Sequence, residues 1–237
     1  MNDFEILAHA HTPIGTLYLG RRMAPGRPDW VYEIQISGQL LMSSKNNFSE
    51  RQMSTTALKL HEGDGPLRVL VGGLGLGYTA QAALEGARVT SLRVVEKMDF
   101  VIDWMNEGML PLSAEFSAED RLEIVQGDIY EDLLGPATEL WDLILVDVDH
   151  SPEDRLADGP GHFYTAEGQR RVARHLAPGG VLAVWSAWDN DAFAEVLANE
   201  YPRSSREDVR WDDDEDPDED YHNVLFFAGG LPRTVPT

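Results

Sequence analysis

The sequence predicts an α/β protein in which a doubly wound, mostly parallel sheet follows a small β-rich segment. Three observations carry that prediction. From Arg68 onward, apolar runs of strand length alternate with helical patterns, the order that builds a parallel sheet with helices on both faces. The run Val69-Leu70-Val71 breaks into Gly73-x-Gly75-x-Gly77, a buried strand meeting a glycine turn. Residues 1–45 instead show short alternating runs set off by turn residues.

In order along the chain, 16–19 is a short alternating run and 21–29 a loop rich in Pro and Gly. Trp30–Ile36 alternates up to the turn Ser37-Gly38, and Gln39–Ser43 follows as a second strand. Phe48–Leu60 has helical character, with Ser49 or Asn47 as N-cap. The break Glu62-Gly63-Asp64-Gly65-Pro66 precedes the core. These features divide the chain into a β-domain at 1–45, a helical linker at 46–66 and a nucleoside-binding domain at 67–237. Strands are expected at 68–72, 89–95, 121–126, 141–147, 180–186 and 223–228, and helices near 77–86, 98–107, 166–176 and 189–200. Pro178-Gly179-Gly180 reads as a helix stop before a buried strand. The acidic block 211–221 reads as a solvated loop, or as a lid or cation sink beside a cleft.

With 237 residues the chain can bury a sizeable core and suits one large domain with a small appendage. Cysteine is absent, which removes disulfides, thiol nucleophiles and cysteine metal sites, and no metal site is assigned. The start Met-Asn-Asp-Phe-Glu-Ile lacks the pattern of a signal peptide and no stretch reaches transmembrane length. The expected setting is cytoplasmic, without a membrane partner. A formal charge of −22 argues against nucleic acid, whose recognition rests on Lys and Arg contacts to phosphate. It suits a small cationic substrate or simply a soluble acidic surface.

The glycine run carries the chemistry. Glycine lets a backbone approach a ligand closely, and the helix that follows opens with free N–H groups. The dinucleotide fingerprint needs a third glycine where Tyr78 stands, and no Gly-Lys-Ser/Thr follows for a phosphate loop. The form Gly-x-Gly-x-Gly is typical of enzymes that bind S-adenosylmethionine or its decarboxylated relative. Glu96 ends the second strand, where a carboxylate can take ribose hydroxyls. Ligands in open α/β sheets lie beyond the carboxyl ends of strands. That rule gathers Gly73, Gly75, Leu76 and Gly77, Glu96 with its neighbour Lys97, Asp128 with its neighbour Ile129, and Asp147, Asp149 and His150. Asp128 can accept from an adenine amine or cap the helix Ile129–Leu134. Asp147 ends a run too apolar for a stray charge, so it is expected to face the cleft, orienting or deprotonating an acceptor, with Asp149 as a second candidate.

The order Val-Leu-Val-Gly-Gly-Leu-Gly-Leu-Gly, Val-Val-Glu96, Gly-Asp128, Trp-Asp-Leu-Ile-Leu-Val-Asp147, Phe163-Tyr164 and Leu-x-Pro-Gly-Gly-Val resembles the spermidine synthase superfamily over residues 30–230. The resemblance implies a Rossmann-like, seven-stranded methyltransferase-type sheet behind a small N-terminal β-domain. It also implies an S-adenosylmethionine-type donor and, from the habits of the superfamily, a homodimer.

The sequence departs from that family at telling places. The stretch resembling Gly-Val-Val-Gln-x-x-x-x-Asp-Glu-Phe-x-Tyr-His-Glu-Met falls on Gly38 to Met53. Phe48 and Met53 match, while Leu41, Asn46-Asn47 and Glu50-Arg51 replace the Gln, Asp-Glu and Tyr-His. Leu76 stands where the family's aspartate holds an aminopropyl ammonium, and Asp147-Val148-Asp149-His150-Ser151 keeps only the first acid of Asp-Ser-Ser-Asp-Pro. A desolvated ammonium needs a charge or hydrogen bonds, and leucine offers neither. The expectation is therefore methyl transfer to a small, amine-type acceptor. A divergent aminopropyltransferase is the alternative, and a non-catalytic nucleoside binder the further one. Specificity is expected from segments 41–53, 148–164 and 211–221, with Glu50, His150, Tyr164 and Trp185 as substrate-binding candidates.

Overall fold

The computed structural model describes residues 5–12, 15–23, 29–36, 38–148, 162–212 and 221–230. Four strands, β1 (Glu5–Thr12), β2 (Gly15–Met23), β3 (Trp30–Ile36) and β4 (Gln39–Ser43), form an antiparallel sheet in chain order. β1 has no counterpart among the predicted strands, because Leu-Ala-His-Ala-His offers little contrast between its two faces. Helix α1 (Phe48–Leu60) follows. Asn47 holds its N-cap position without a capping bond, its amide donating to the Ser44 carbonyl instead at 3.3 Å. Ser49, the other predicted cap, lies buried inside the first turn.

The large sheet contains β5 (Leu67–Gly72), β6 (Val89–Glu96), β7 (Leu122–Gln126), β8 (Trp141–Val146), β9 (Leu176–Ser186), β10 (Arg203–Trp211) and β11 (Tyr221–Gly229). Its order is β10-β11-β9-β8-β5-β6-β7, parallel from β9 to β7 and antiparallel at β11 and β10. This is the seven-stranded Rossmann-like arrangement that the resemblance implied. Between its strands run α2 (Tyr78–Leu84), α3 (Asp99–Asn106), α4 (Ser113–Ser117), α5 (Ile129–Leu134), α6 (Ala166–Val172) and α7 (Asp191–Glu200).

The two-residue period of a strand divides the core cleanly. Val69, Val71, Leu143, Leu145, Val181, Ala183, Leu225 and Phe227 pack on one face with α1 to α4. Leu70, Ile144, Val146, Leu182, Val184, Val224 and Phe226 pack on the other with α5 to α7. Leu17, Leu19 and Ile34 of the small sheet join the first of these clusters, so both sheets share one apolar core. Among the described residues, no helix is long and apolar enough to cross a membrane.

Two elements differ from expectation. β9 begins at Leu176, not 180: Leu176 already pairs with Trp141, and the bulge before Val181 includes Gly179 at φ +83°. β10 falls where no strand was predicted. It pairs with β11 over its whole length, but as an edge strand it buries only Val209, so Arg-Ser-Ser-Arg-Glu-Asp gives no apolar alternation to read. The strand order reverses between β5 and β8, the topological switch point where clefts open in such sheets.

Candidate functional site

The switch point clamps the glycine loop through the backbone. Asp147 N–H donates to the Gly72 carbonyl at 2.8 Å, and Gly73 N–H donates to the Val95 carbonyl at 2.9 Å. The end of β5 is thereby pinned between β8 and β6. Gly73 has φ +93°, and a Cβ there would lie 2.1 Å from the Asp147 carbonyl oxygen. Only glycine fits, by conformation and by space.

Glu96, at the end of β6, is 8% exposed. One carboxylate oxygen accepts from Leu74 N–H and the other from Met98 N–H, both at 2.8 Å. Burial pushes its pKa up, opposed by these N–H groups and by those of Lys97 and Gly75. Its first visible task is therefore to hold the glycine loop against β6.

Behind the loop lies a cavity of about 460 Å³ lined by Gly73, Gly75, Glu96, Lys97, Asp128 and Ile129, with apolar walls from Met98, Phe100 and Val101. Asp128 caps α5 by accepting from Tyr130 N–H at 2.9 Å, and its other oxygen meets Lys97 Nζ at 2.8 Å. The capping alternative read from the sequence is thus realised in the structure. Residues His11, Thr12 and Leu17 of the small sheet close the far side of this cavity.

In front of the loop lies a second space of about 470 Å³, lined by Leu74 to Tyr78, by the segment Leu41 to Glu50 in part, and by Trp185, Trp211, Tyr221 and Asn223. The two cavities meet at Leu41, Met42, Gly75, Asp147 and Val148, which line both. The front cavity is acidic at this junction. Asp147 keeps a partly exposed surface on the cavity floor, but protein atoms enclose its carboxyl. Burial pushes it up to about 6, against a 2.6 Å bond donated by the Thr79 hydroxyl. Glu50, from the first turn of α1, is pushed up to about 7 by burial and then by the charge of Asp147. Its carboxylate accepts from the Ser49 hydroxyl at 2.8 Å. Trp185 Nε1–H donates to the same hydroxyl oxygen at 2.9 Å. Trp211 stacks on Tyr221 with centroids 5.9 Å apart, at the two ends of the acidic segment. The Trp211 indole N–H is shielded from solvent without a partner among the described residues.

The site residues expected from the sequence thus fall into groups. Gly73, Glu96, Lys97, Asp128 and Ile129 line the rear cavity, while Leu76, Gly77, Glu50 and Trp185 line the front one; Gly75 and Asp147 line both. Leu76 is an apolar wall of the front cavity, 4% exposed. Tyr164 lines neither. Its hydroxyl lies 3.0 Å from that of Tyr130, within an aromatic cluster with Phe163 and Phe193. Asp149 and His150 lie outside the described residues, as does 213–220 of the acidic segment.

Several lining residues carried no signal in the sequence. Glu33 is 6% exposed and pairs with Arg22 at 2.7 Å on the front cavity's wall. Ser49 and Asn223, whose side chains meet at 2.9 Å, come from opposite ends of the chain. Each belongs to a polar position with no local pattern around it, and only tertiary folding brings them together.

No family model matches this sequence, and no curated protein matches it. Solved structures do. A spermidine synthase crystallised with the transition state analogue AdoDATO matches with a TM-score of 0.71 at 18% identity, over 95% of this chain and 73% of its own. The spermidine synthase from Thermotoga maritima matches with a TM-score of 0.68 at 17% identity, over 95% and 72%. At these identities the likeness is one of fold: the chain has the spermidine synthase fold, small sheet included.

Proposed function

We propose that this protein is a transferase that moves an alkyl group from an S-adenosyl sulfonium donor to an amine, and that the group moved is methyl. The observation that carries this reading is the junction of two cavities at Gly75, Asp147 and Val148. A nucleoside in the rear cavity would place its ribose near Glu96 and its base near Asp128, directing the sulfonium toward the junction. An amine in the front cavity would meet Asp147 and Glu50 there. Alignment of nucleophile, carbon and departing sulfur supplies much of the acceleration in such a transfer. The AdoDATO complex of a protein with this fold supports the donor class.

Methyl is favoured by Leu76. An aminopropyl tail running along the glycine loop would leave its ammonium against a buried leucine. A second reading, aminopropyl transfer, is favoured by the acids Glu50 and Asp147, which offer an ammonium another place to pair. Calorimetry with S-adenosylmethionine, its decarboxylated form and methylthioadenosine separates the two. The methyl reading expects S-adenosylmethionine to bind at least about tenfold tighter than the decarboxylated donor, a difference of about 1.4 kcal/mol. Binding of the decarboxylated form alone would overturn it in favour of the second reading.

A further inference from the structure

We propose that Glu50, which shares the front cavity with Asp147, takes the proton of an ammonium acceptor before its nitrogen attacks the donor. The inference deepens the function proposed above and rests on its amine acceptor. Three observations carry it.

The first is placement. Glu50 enters from α1 and Asp147 from the end of β8, and both line the front cavity with Gly75, Leu76 and Gly77. Neither forms an ion pair among the described residues. The cavity's cations are Arg22, held by Glu33 at 2.7 Å, and Lys45. Arg51, next to Glu50 in α1, is taken by Glu85 and Gln81. The other titratable groups facing this space are the phenols Tyr78, held above its ordinary range by burial, and Tyr221. Two unpaired carboxyls in one enclosed space resist ionising together.

The second observation is the wiring of Glu50. The Ser49 oxygen lies 2.8 Å from Glu50 Oε2, 2.9 Å from Asn223 Oδ1 and 2.9 Å from Trp185 Nε1. A serine hydroxyl has one proton to donate and two acceptor lone pairs. With Glu50 ionised, Ser49 donates to Glu50 and accepts from Trp185. With Glu50 protonated, Glu50 donates to Ser49, whose proton turns to Asn223 while Trp185 still donates. Glu50 Oε2 thus keeps its hydrogen bond to Ser49 in both protonation states, Asn223 Oδ1 takes the Ser49 proton only when Glu50 is protonated, and the change costs one hydroxyl rotation. A carboxyl that stays ionised throughout has no use for the second arrangement.

The third is energetic matching. Burial and the charge of Asp147 bring Glu50 up to about 7. An alkylammonium has a pKa of about 10, so passing its proton to this carboxylate is uphill by about three decades, against about six for an ordinary glutamate.

The step balances. The ammonium gives its proton to Glu50, and the freed nitrogen lone pair forms the new N–C bond. The C–S bond breaks with its electron pair going to sulfur, which becomes a neutral thioether. The product leaves as an ammonium carrying the new alkyl group, and Glu50 returns its proton to solvent.

The test is a carboxyl carbon NMR titration of the full chain labelled at Glu and Asp. The expected result is a glutamate titrating near neutrality that vanishes in Glu50→Gln and moves to lower pH by about one unit in Asp147→Asn. A Glu50 resonance titrating in the ordinary glutamate range, or one indifferent to Asp147→Asn, would overturn the proposal. Turnover of an amine substrate provides the second readout. The acidic limb of its pH profile should move in Ser49→Ala, and turnover at neutral pH should fall about a hundredfold in Glu50→Gln. An unchanged limb and rate would overturn the role of Glu50. Binding of methylthioadenosine to the same variants is read separately, because the rear cavity does not depend on Glu50; its absence in the wild-type protein would count against the donor reading instead.

Discussion

The rear cavity takes its polar groups from the ends of adjacent strands, Gly73 after β5, Glu96 at β6, Asp128 after β7 and Asp147 after β8. The front cavity assembles Arg22, Glu33, Glu50, Trp185 and Asn223 from five separate elements. One is therefore made by sheet topology and backbone geometry, the other by side chains that meet only when both sheets dock on their shared core. The difference teaches which parts of such a site tolerate change. A topological site constrains its glycines and strand ends tightly, while a side-chain site can be rewired one residue at a time. Leu76 and Glu50, both on the wall of the front cavity, fit that second description.

The contrast can be broken from the rear side first, where the largest effect is expected. Gly73→Ala places a Cβ 2.1 Å from the Asp147 carbonyl at φ +93°. The expected loss is about 4 kcal/mol or more in denaturant unfolding, enough to cost the native fold. A variant with wild-type stability would mean that the loop is not clamped as described. Next in size is Asp147→Asn. Turnover should fall by about 10²- to 10⁴-fold, while methylthioadenosine affinity measured by calorimetry changes only a few fold. Equal losses in both would make Asp147 a structural residue of the junction.

Glu96→Gln comes third. The carboxylate accepts two backbone N–H bonds, and the amide nitrogen of glutamine would oppose one of them. Thermal unfolding should register a loss of about 1–3 kcal/mol.

The smallest effect has the opposite sign. Glu50 in the folded protein is raised to about 7, above its unfolded value, so the native state binds its proton more tightly. The stability this contributes is fully present below the unfolded pKa and is lost as the pH rises through about 7. Glu50→Gln should thus be more stable than the wild type at pH about 8, by on the order of 1–2 kcal/mol in unfolding free energy, and match it near pH 4. A more stable and slower enzyme is the expected trade where a site holds a buried charge for function. Equal stability across the pH range would remove the case for a buried charge at Glu50.

The same contrast explains what the sequence could disclose. The rear cavity was legible because strand ends and glycines are local features: Val-Leu-Val before Gly73 and Val-Val before Glu96 announce their own positions. Glu50 was reachable only by laying a family stretch along 38–53. Glu33, Ser49 and Asn223 were not reachable at all, since each is a lone polar residue whose partners are distant in the chain. In the fold, the buried strands β5, β8 and β9 were plain from their apolar runs, and β6 from Val94-Val95 before Glu96. The polar edge strand β10 was hidden because the single residue it buries, Val209, leaves no period.

The proposed function makes the two cavities a donor site and an acceptor site joined at Asp147. A crystal structure with methylthioadenosine bound tests it most directly. The expected result is the ribose on Glu96, the adenine beside Asp128 and the sulfur facing Asp147 and Glu50 across the Gly75 junction. A nucleoside lying in the front cavity, or with its sulfur turned away from Asp147, would contradict it.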